Sequence, residues 1–127
     1  MELVQVAQHA DDLDRATEFY NQLLGTEPLA RFDPPGLLFY RLGTLRLLLD
    51  RAAPSALIYV HVDGLSKRIE QLRTSGVTID TEPHVIFHHD DETLGPEGTT
   101  ERQAFIRDSE GNLVGLVEHL SDKAENA

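Results

Sequence analysis

Leu3-Val4-Gln5-Val6-Ala7-Gln8 has a strand pattern that gives way at Asp11-Asp12 to Leu13, Ala16, Tyr20, Leu23 and Leu24, spaced by three and four. That change marks a strand followed by one apolar helix face. Asp11 or Asp12 is placed to cap the helix by accepting a backbone N–H, and Gly25 to end it, because glycine enters the left-handed conformation without steric cost. The same order then returns. Gln5, Asp12 and Leu13 moved on by 52 positions fall on Leu57, Gly64 and Leu65, and Gly25 finds its counterpart in Gly76. Leu57 to Val62 reads as a strand, and Leu65, Ile69 and Leu72 form the apolar stripe of a second helix. An internal repeat of this kind is a stronger fold signal than any single motif.

Outward from these two helices, each unit continues with strands. In the first, Asp33-Pro34-Pro35-Gly36 marks a turn, and Leu37–Leu42 and Leu45–Leu49 are apolar strands joined at Gly43-Thr44. In the second, Val77-Thr78-Ile79 and His84-Val85-Ile86-Phe87 are strand candidates, and His88 to Arg102 reads as a polar loop. Gln103–Arg107 and Leu113–Glu118 form a closing hairpin across Asp108-Ser109-Glu110-Gly111-Asn112. The expected fold is α+β: two βαβββ modules, about 3–50 and 56–119, within a single domain 1–120, building a curved mixed sheet around a cavity. Ser121 to Ala127 is expected to be a polar, frayed tail.

Composition narrows the function. The chain has 127 residues, no cysteine, and 11 basic against 22 acidic side chains, for a net charge of −11. This length can bury enough surface for a core without disulfides or structural zinc, and without cysteine there are no thiolate metal sites or thiol nucleophiles. Nucleic-acid binding depends on clustered lysine and arginine, which are absent, so no nucleic-acid partner is expected. The amino terminus lacks the pattern of a signal peptide, and no apolar run approaches the roughly 20 residues that span a bilayer. A cytoplasmic protein without a membrane partner is the expectation.

Three segments resemble the vicinal oxygen chelate superfamily, which includes glyoxalase I, methylmalonyl-CoA epimerase, extradiol dioxygenases and the bleomycin and fosfomycin resistance proteins. They are Asp12-Leu13-Asp14-Arg15-Ala16 running into Phe19-Tyr20 and Leu23-Leu24-Gly25; Val62-Asp63-Gly64-Leu65 leading to Leu72 and Gly76-Val77; and Phe105 to Asn112, similar to the F-x-D-P-x-G-N turn with Ser109 in place of proline. The resemblance spans almost the whole chain and implies the fold, whereas chemistry has to be argued from site residues. It implies four inward metal ligands, two per unit, around a divalent ion that polarises substrate oxygens. The first falls on Gln5, an accepted ligand in some members. The second falls on Arg46 or Leu47, depending on register, the third on Leu57 and the fourth on Gly115. A lone neutral glutamine does not hold a hard divalent ion. No metal site and no cofactor are therefore expected.

Other residues offer themselves. Tyr59 and His61 share alternation parity with Leu57 and, if the resemblance holds, line the cavity with Gln5. His61 could act as a general base or hydrogen-bond donor, or simply be exposed. His84 begins an apolar run and is either a structural hydrogen-bonding histidine or a ligand contact. Arg46 would pair with an anionic ligand if it faces the cavity and would be unremarkable in solvent. His88-His89-Asp90-Asp91-Glu92 holds many donors without a spacing that converges them, and reads as a solvated loop. No G-x-S-x-G element and no phosphate-cradling glycine loop is present.

The first expectation is a metal-independent small-molecule binding protein of the resistance or sequestration type, its ligand held by Gln5, Tyr59, His61, His84 and Arg46. The resemblance implies a homodimer. One alternative is an enzyme of the glyoxalase, epimerase or dioxygenase kind with a displaced metal site using Gln5 and one or more of His61, His84 and Glu118. The other is a non-catalytic structural or regulatory module.

Overall fold

A computed structural model describes residues 2–125 and divides them into two compact units. The first comprises the chain up to Leu57 together with Asp108–Asn112; the second comprises Ile58–Arg107 and the chain from Leu113 onward. Each carries a four-stranded mixed sheet, and the element order repeats as two βαβββ modules.

In the first unit β1 (Gln5–His9) leads into α1 (Leu13–Leu24), then β2 (Ala30–Phe32), β3 (Leu37–Leu42) and β4 (Leu45–Asp50), with strand order β1-β4-β3-β2. The Asp12 side chain accepts the Arg15 N–H, and Gly25 closes the helix at φ 68°, so both ends follow the expected chemistry. The short strand β2 carries no clear sequence signal. β1 runs parallel to β4 with Gln5 opposite Arg46, and β3 pairs antiparallel with β4 up to Leu42–Leu45 across the expected Gly43-Thr44 turn.

Alternation then assigns the two faces of this sheet. Leu38, Tyr40, Leu47 and Leu49 are buried, as are Leu13, Ala16, Tyr20 and Leu23 on α1. The Tyr20 and Tyr40 rings meet at 6.0 Å, and the Tyr40 hydroxyl donates to Asn21 Oδ1 at 2.8 Å, which fixes α1 on that face. Fully burying one such leucine contributes about 1.5–3 kcal/mol before entropy is counted. Gln5 and Arg46 stand on the other face, resolving the register left open by the sequence.

The Asp108–Asn112 turn is organised by a single buried carboxylate. Asp108 Oδ1 accepts the backbone N–H of Glu110 (2.8 Å) and of Asn112 (2.7 Å), and Oδ2 accepts the Tyr20 hydroxyl (2.7 Å) and Asn112 Nδ2 (2.8 Å). Gly111 sits at φ 84°, where a side chain would be strained. Glu110 Oε1 accepts the N–H groups of Asp11 and Asp12, and both its oxygens engage Arg15.

In the second unit β5 (Ile58–His61), α2 (Leu65–Thr74), β6 (Ile79–His89), β7 (Thr99–Arg107) and β8 (Leu113–Ser121) form a sheet of order β5-β8-β7-β6, followed by the short α3 (Asp122–Glu125). Leu65, Ile69 and Leu72 of α2 are buried, as are Ala104, Ile106, Val114 and Leu116 on one sheet face. Gly64 supplies no capping side chain to α2, and Glu118 of β8 takes that role, its Oε1 accepting the Leu65 N–H at 3.1 Å.

Three sequence expectations need correction here. The two strand candidates at 77–79 and 84–87 belong to one continuous, bulged strand, Ile79–His89. The polar loop expected from His88 to Arg102 is shorter, because β6 runs through His89 and β7 begins at Thr99, with Glu101 and His89 buried. Cross-strand pairing with β8 outweighed the polar composition of Thr99-Thr100-Glu101-Arg102. The expected frayed tail instead continues β8 to Ser121 and then turns into α3; Asn126 and Ala127 lie outside the described residues.

Candidate functional site

The positions implied for family metal ligands are occupied in ways that do not suit a cation. In the first unit, Arg46 Nε donates to Gln5 Oε1 at 3.0 Å, and the guanidinium lies 5.8 Å from the Phe39 ring centroid. The one neutral oxygen that could have served is therefore held by a positive charge. Leu57 offers no donor, and in the second unit Gly115 is covered by an aromatic ring: a Cβ added there would meet Tyr59 Cδ2 at 2.5 Å. The space a glutamate would need is filled by Tyr59, whose ring packs edge-to-face on Phe105 at 5.8 Å. These residues do not fit the metal of the metal-dependent relatives, and no step through such an ion follows.

Strand pairing shows what shares a face with Tyr59. Gly115 lies opposite Tyr59 and Phe105, Val117 opposite His61 and Gln103, and His119 opposite Glu101, while Phe87 lies opposite Glu101 on β6. Directly paired residues project to the same side. This face, away from α2, thus carries Tyr59, Phe105, His61 and Gln103 along its length and His119 and Glu101 toward one end. Tyr59 and His61 stand together as expected, and Tyr59 is about half exposed (53%). His61 stacks obliquely on His119, with centroids 5.6 Å apart. His84 pairs with Gln103, but bulges flank it, and its exposed ring turns back so that Nδ1 meets the Glu82 carbonyl at 3.0 Å. Gln5 and Arg46 are joined to each other within the first unit.

Glu118, one donor of the displaced-metal alternative, is on the opposite face. It is buried, capping α2 with one oxygen and accepting from Arg102 Nη1 at 3.3 Å with the other. Alternation along β8 put it there.

The sequence reading missed a buried polar cluster in the second unit. Glu101 Oε1 lies 2.9 Å from His89 Nε2 and 3.3 Å from His119 Nε2, and Gln103 Nε2 donates to Glu101 Oε2 at 2.7 Å. Burial would raise the Glu101 carboxyl, but the hydrogen bonds from His89, Gln103 and His119 outweigh it and hold the pKa below the ordinary value. The carboxylate is thus kept charged between two imidazoles, an arrangement suited to a proton relay or a donor set for a cation. Counting back from the Asp108–Asn112 turn could have revealed Glu101 opposite His119; nothing in the bulged β6 would have added His89.

Fold and face together describe a paired-βαβββ protein whose second sheet bears an aromatic and imidazole surface. The chain belongs to the Glyoxalase/Bleomycin resistance protein/Dioxygenase superfamily, which it matches over residues 2–116. No curated protein matches it. Among solved structures it is similar to a lactoylglutathione lyase from Agrobacterium tumefaciens (21% identity, TM-score 0.64, covering 92% of each chain). It is also similar to a superfamily member from Sphaerobacter thermophilus (20%, 0.68, covering 93% of this chain and 97% of that one). An integron cassette protein from the mobile metagenome of V. cholerae aligns at 20% identity and TM-score 0.68, covering 93% of this chain and 94% of that one. At these identities the likeness is one of fold. Among the described residues no helix is long and apolar enough to cross a membrane.

Proposed function

We propose that this protein binds a small molecule, in the manner of the resistance or sequestration members of its superfamily, without using the family's metal position. The observation that carries this reading is the replacement of the glutamate position by Gly115 under the Tyr59 ring, packed on Phe105. A donor site has become an aromatic platform edged by His61 and Gln103. Such a surface favours a flat apolar or aromatic molecule bearing one or two polar groups, because ring contact supplies area and a few polar side chains orient the ligand. Homodimerisation, which the resemblance implies, and a cytoplasmic location, the expectation from the sequence, belong to the same reading.

The test is a thermal-shift panel of small aromatic acids, amines and neutral heterocycles on wild type and Tyr59→Ala. The reading expects at least one class to raise Tm in wild type and to lose most of that shift in Y59A. A panel with no shift, or shifts indifferent to Y59A, overturns it.

A further inference from the structure

We propose that His89, Glu101 and His119 form a site for a divalent transition-metal ion, four residues along β8 from the position the family resemblance assigns to its glutamate ligand. The three residues come from β6, β7 and β8, and one donor atom from each lies within 4.8 Å of the others. A tetrahedral ion with bonds of about 2.0–2.1 Å holds neighbouring donors roughly 3.3 Å apart. Of the two histidine-to-carboxylate separations, 3.3 Å matches that spacing and 2.9 Å is somewhat shorter, so a small outward movement of His89 or Glu101 would admit the ion.

Burial and support complete the site. His89 and Glu101 are almost fully buried, at 3% and 8% exposure, so their donors are protected from competing water. Gln103 holds the second carboxylate oxygen, which orients the first toward the imidazoles. An outer hydrogen bond of this kind recurs around protein metal ligands. The Phe87 ring lies 4.4 Å from that of His89. On another side Gly95 passes so close that a Cβ there would meet His89 Cε1 at 2.7 Å.

The donor set also selects the metal. Two imidazoles and one carboxylate suit zinc(II) and its first-row neighbours, whereas magnesium and calcium prefer oxygen ligands throughout. Three protein donors leave a coordination position for a water or ligand oxygen. The site does not depend on the small-molecule reading, since metal binding can be measured with no organic ligand present.

The test uses the full chain, freed of metal with chelator and titrated with cobalt(II), whose visible absorption reports its coordination. The expected result is a single tight equivalent, retained through gel filtration, with the bands of a nitrogen- and oxygen-bound ion. His119→Gln and Glu101→Gln should each weaken binding by more than about 100-fold, and Gln103→Leu by about 10- to 100-fold. His88→Gln should leave it unchanged, because His88 pairs with Asp90 and Asp122 at a separate, exposed position. Circular dichroism checks folding; should E101Q unfold, the less buried H119Q decides the matter. No stoichiometric cobalt binding, binding that survives H119Q, or binding lost in H88Q overturns the proposal.

Discussion

Glu110→Gln tests whether one carboxylate holds the start of α1 to the Asp108–Asn112 turn. The Glu110 side chain has no solvent exposure, accepts the N–H groups of Asp11 and Asp12 at 2.8 and 2.9 Å, and meets Arg15 Nε at 2.6 Å. Burial would raise its pKa, but Arg15 and the Asp12 N–H prevail and bring it from the ordinary 4.5 to about 2. That displacement corresponds to at most about 3 kcal/mol of stability at neutral pH. Arg15 is half exposed (52%), so water partly replaces the lost charge. The glutamine oxygen can still accept a backbone N–H, and the expected cost of the substitution is about 2 kcal/mol.

For a chain of this size that cost lowers Tm by about 8 °C. The sign of the pH dependence follows from the lowered pKa. The contribution is fully present above the unfolded value near 4.5 and disappears as pH falls through about 2. Thermal melts of wild type and E110Q should therefore differ most at pH 7, by less than half as much at pH 3, and hardly at all near pH 2. Equal Tm values at pH 7, or a gap that stays constant down to pH 2.5, would refute the reasoning.

Tyr20→Phe removes the hydroxyl that donates to the buried Asp108 carboxylate, and urea unfolding should show a loss of about 1.5–3 kcal/mol. An unchanged midpoint would mean that Asn112 and the turn amides suffice. Gln8→Leu should raise the unfolding free energy measured in urea by about 1–2 kcal/mol, since the Gln8 amide is fully buried and neither polar atom meets a partner at good hydrogen-bonding geometry; a lower value would disprove this. Gly115→Ala should cost about 1–3 kcal/mol by pushing on the Tyr59 ring. The same substitution in a Tyr59→Ala background should be nearly neutral, and a double-mutant cycle without coupling would show that the ring does not occupy that space.

The helices and turns were legible because their signals are local. Asp12 and Gly25 bound α1 through their own backbone and side-chain chemistry, and the repeat at 52 residues placed α2 without reference to packing. Gln5, Tyr59 and His61 were likewise placed on the correct strands by alternation. His89 and Glu101 were lost to a supposed loop because strand formation at Thr99–Arg102 depends on β8 as a partner, and composition does not report a partner. Alternation along β8 sets Glu118 on the face opposite Gly115, but its role, capping a helix that begins 53 residues earlier, is a tertiary contact that the sequence does not report.

By itself the sequence determined the two-module α+β fold, and with the family resemblance it put Leu57 and Gly115 at implied ligand positions. Helical spacing, caps and the absence of donor side chains at Leu57 and Gly115 are properties of residue type and short-range order. The tertiary structure alone decided that Arg46 donates to the Gln5 amide oxygen, that Tyr59 fills the space over Gly115, and that a buried carboxylate stands between His89 and His119. Those outcomes depend on inter-strand register and on bulges in β6, where the displacement of a strand by one residue sends every side chain to the opposite face.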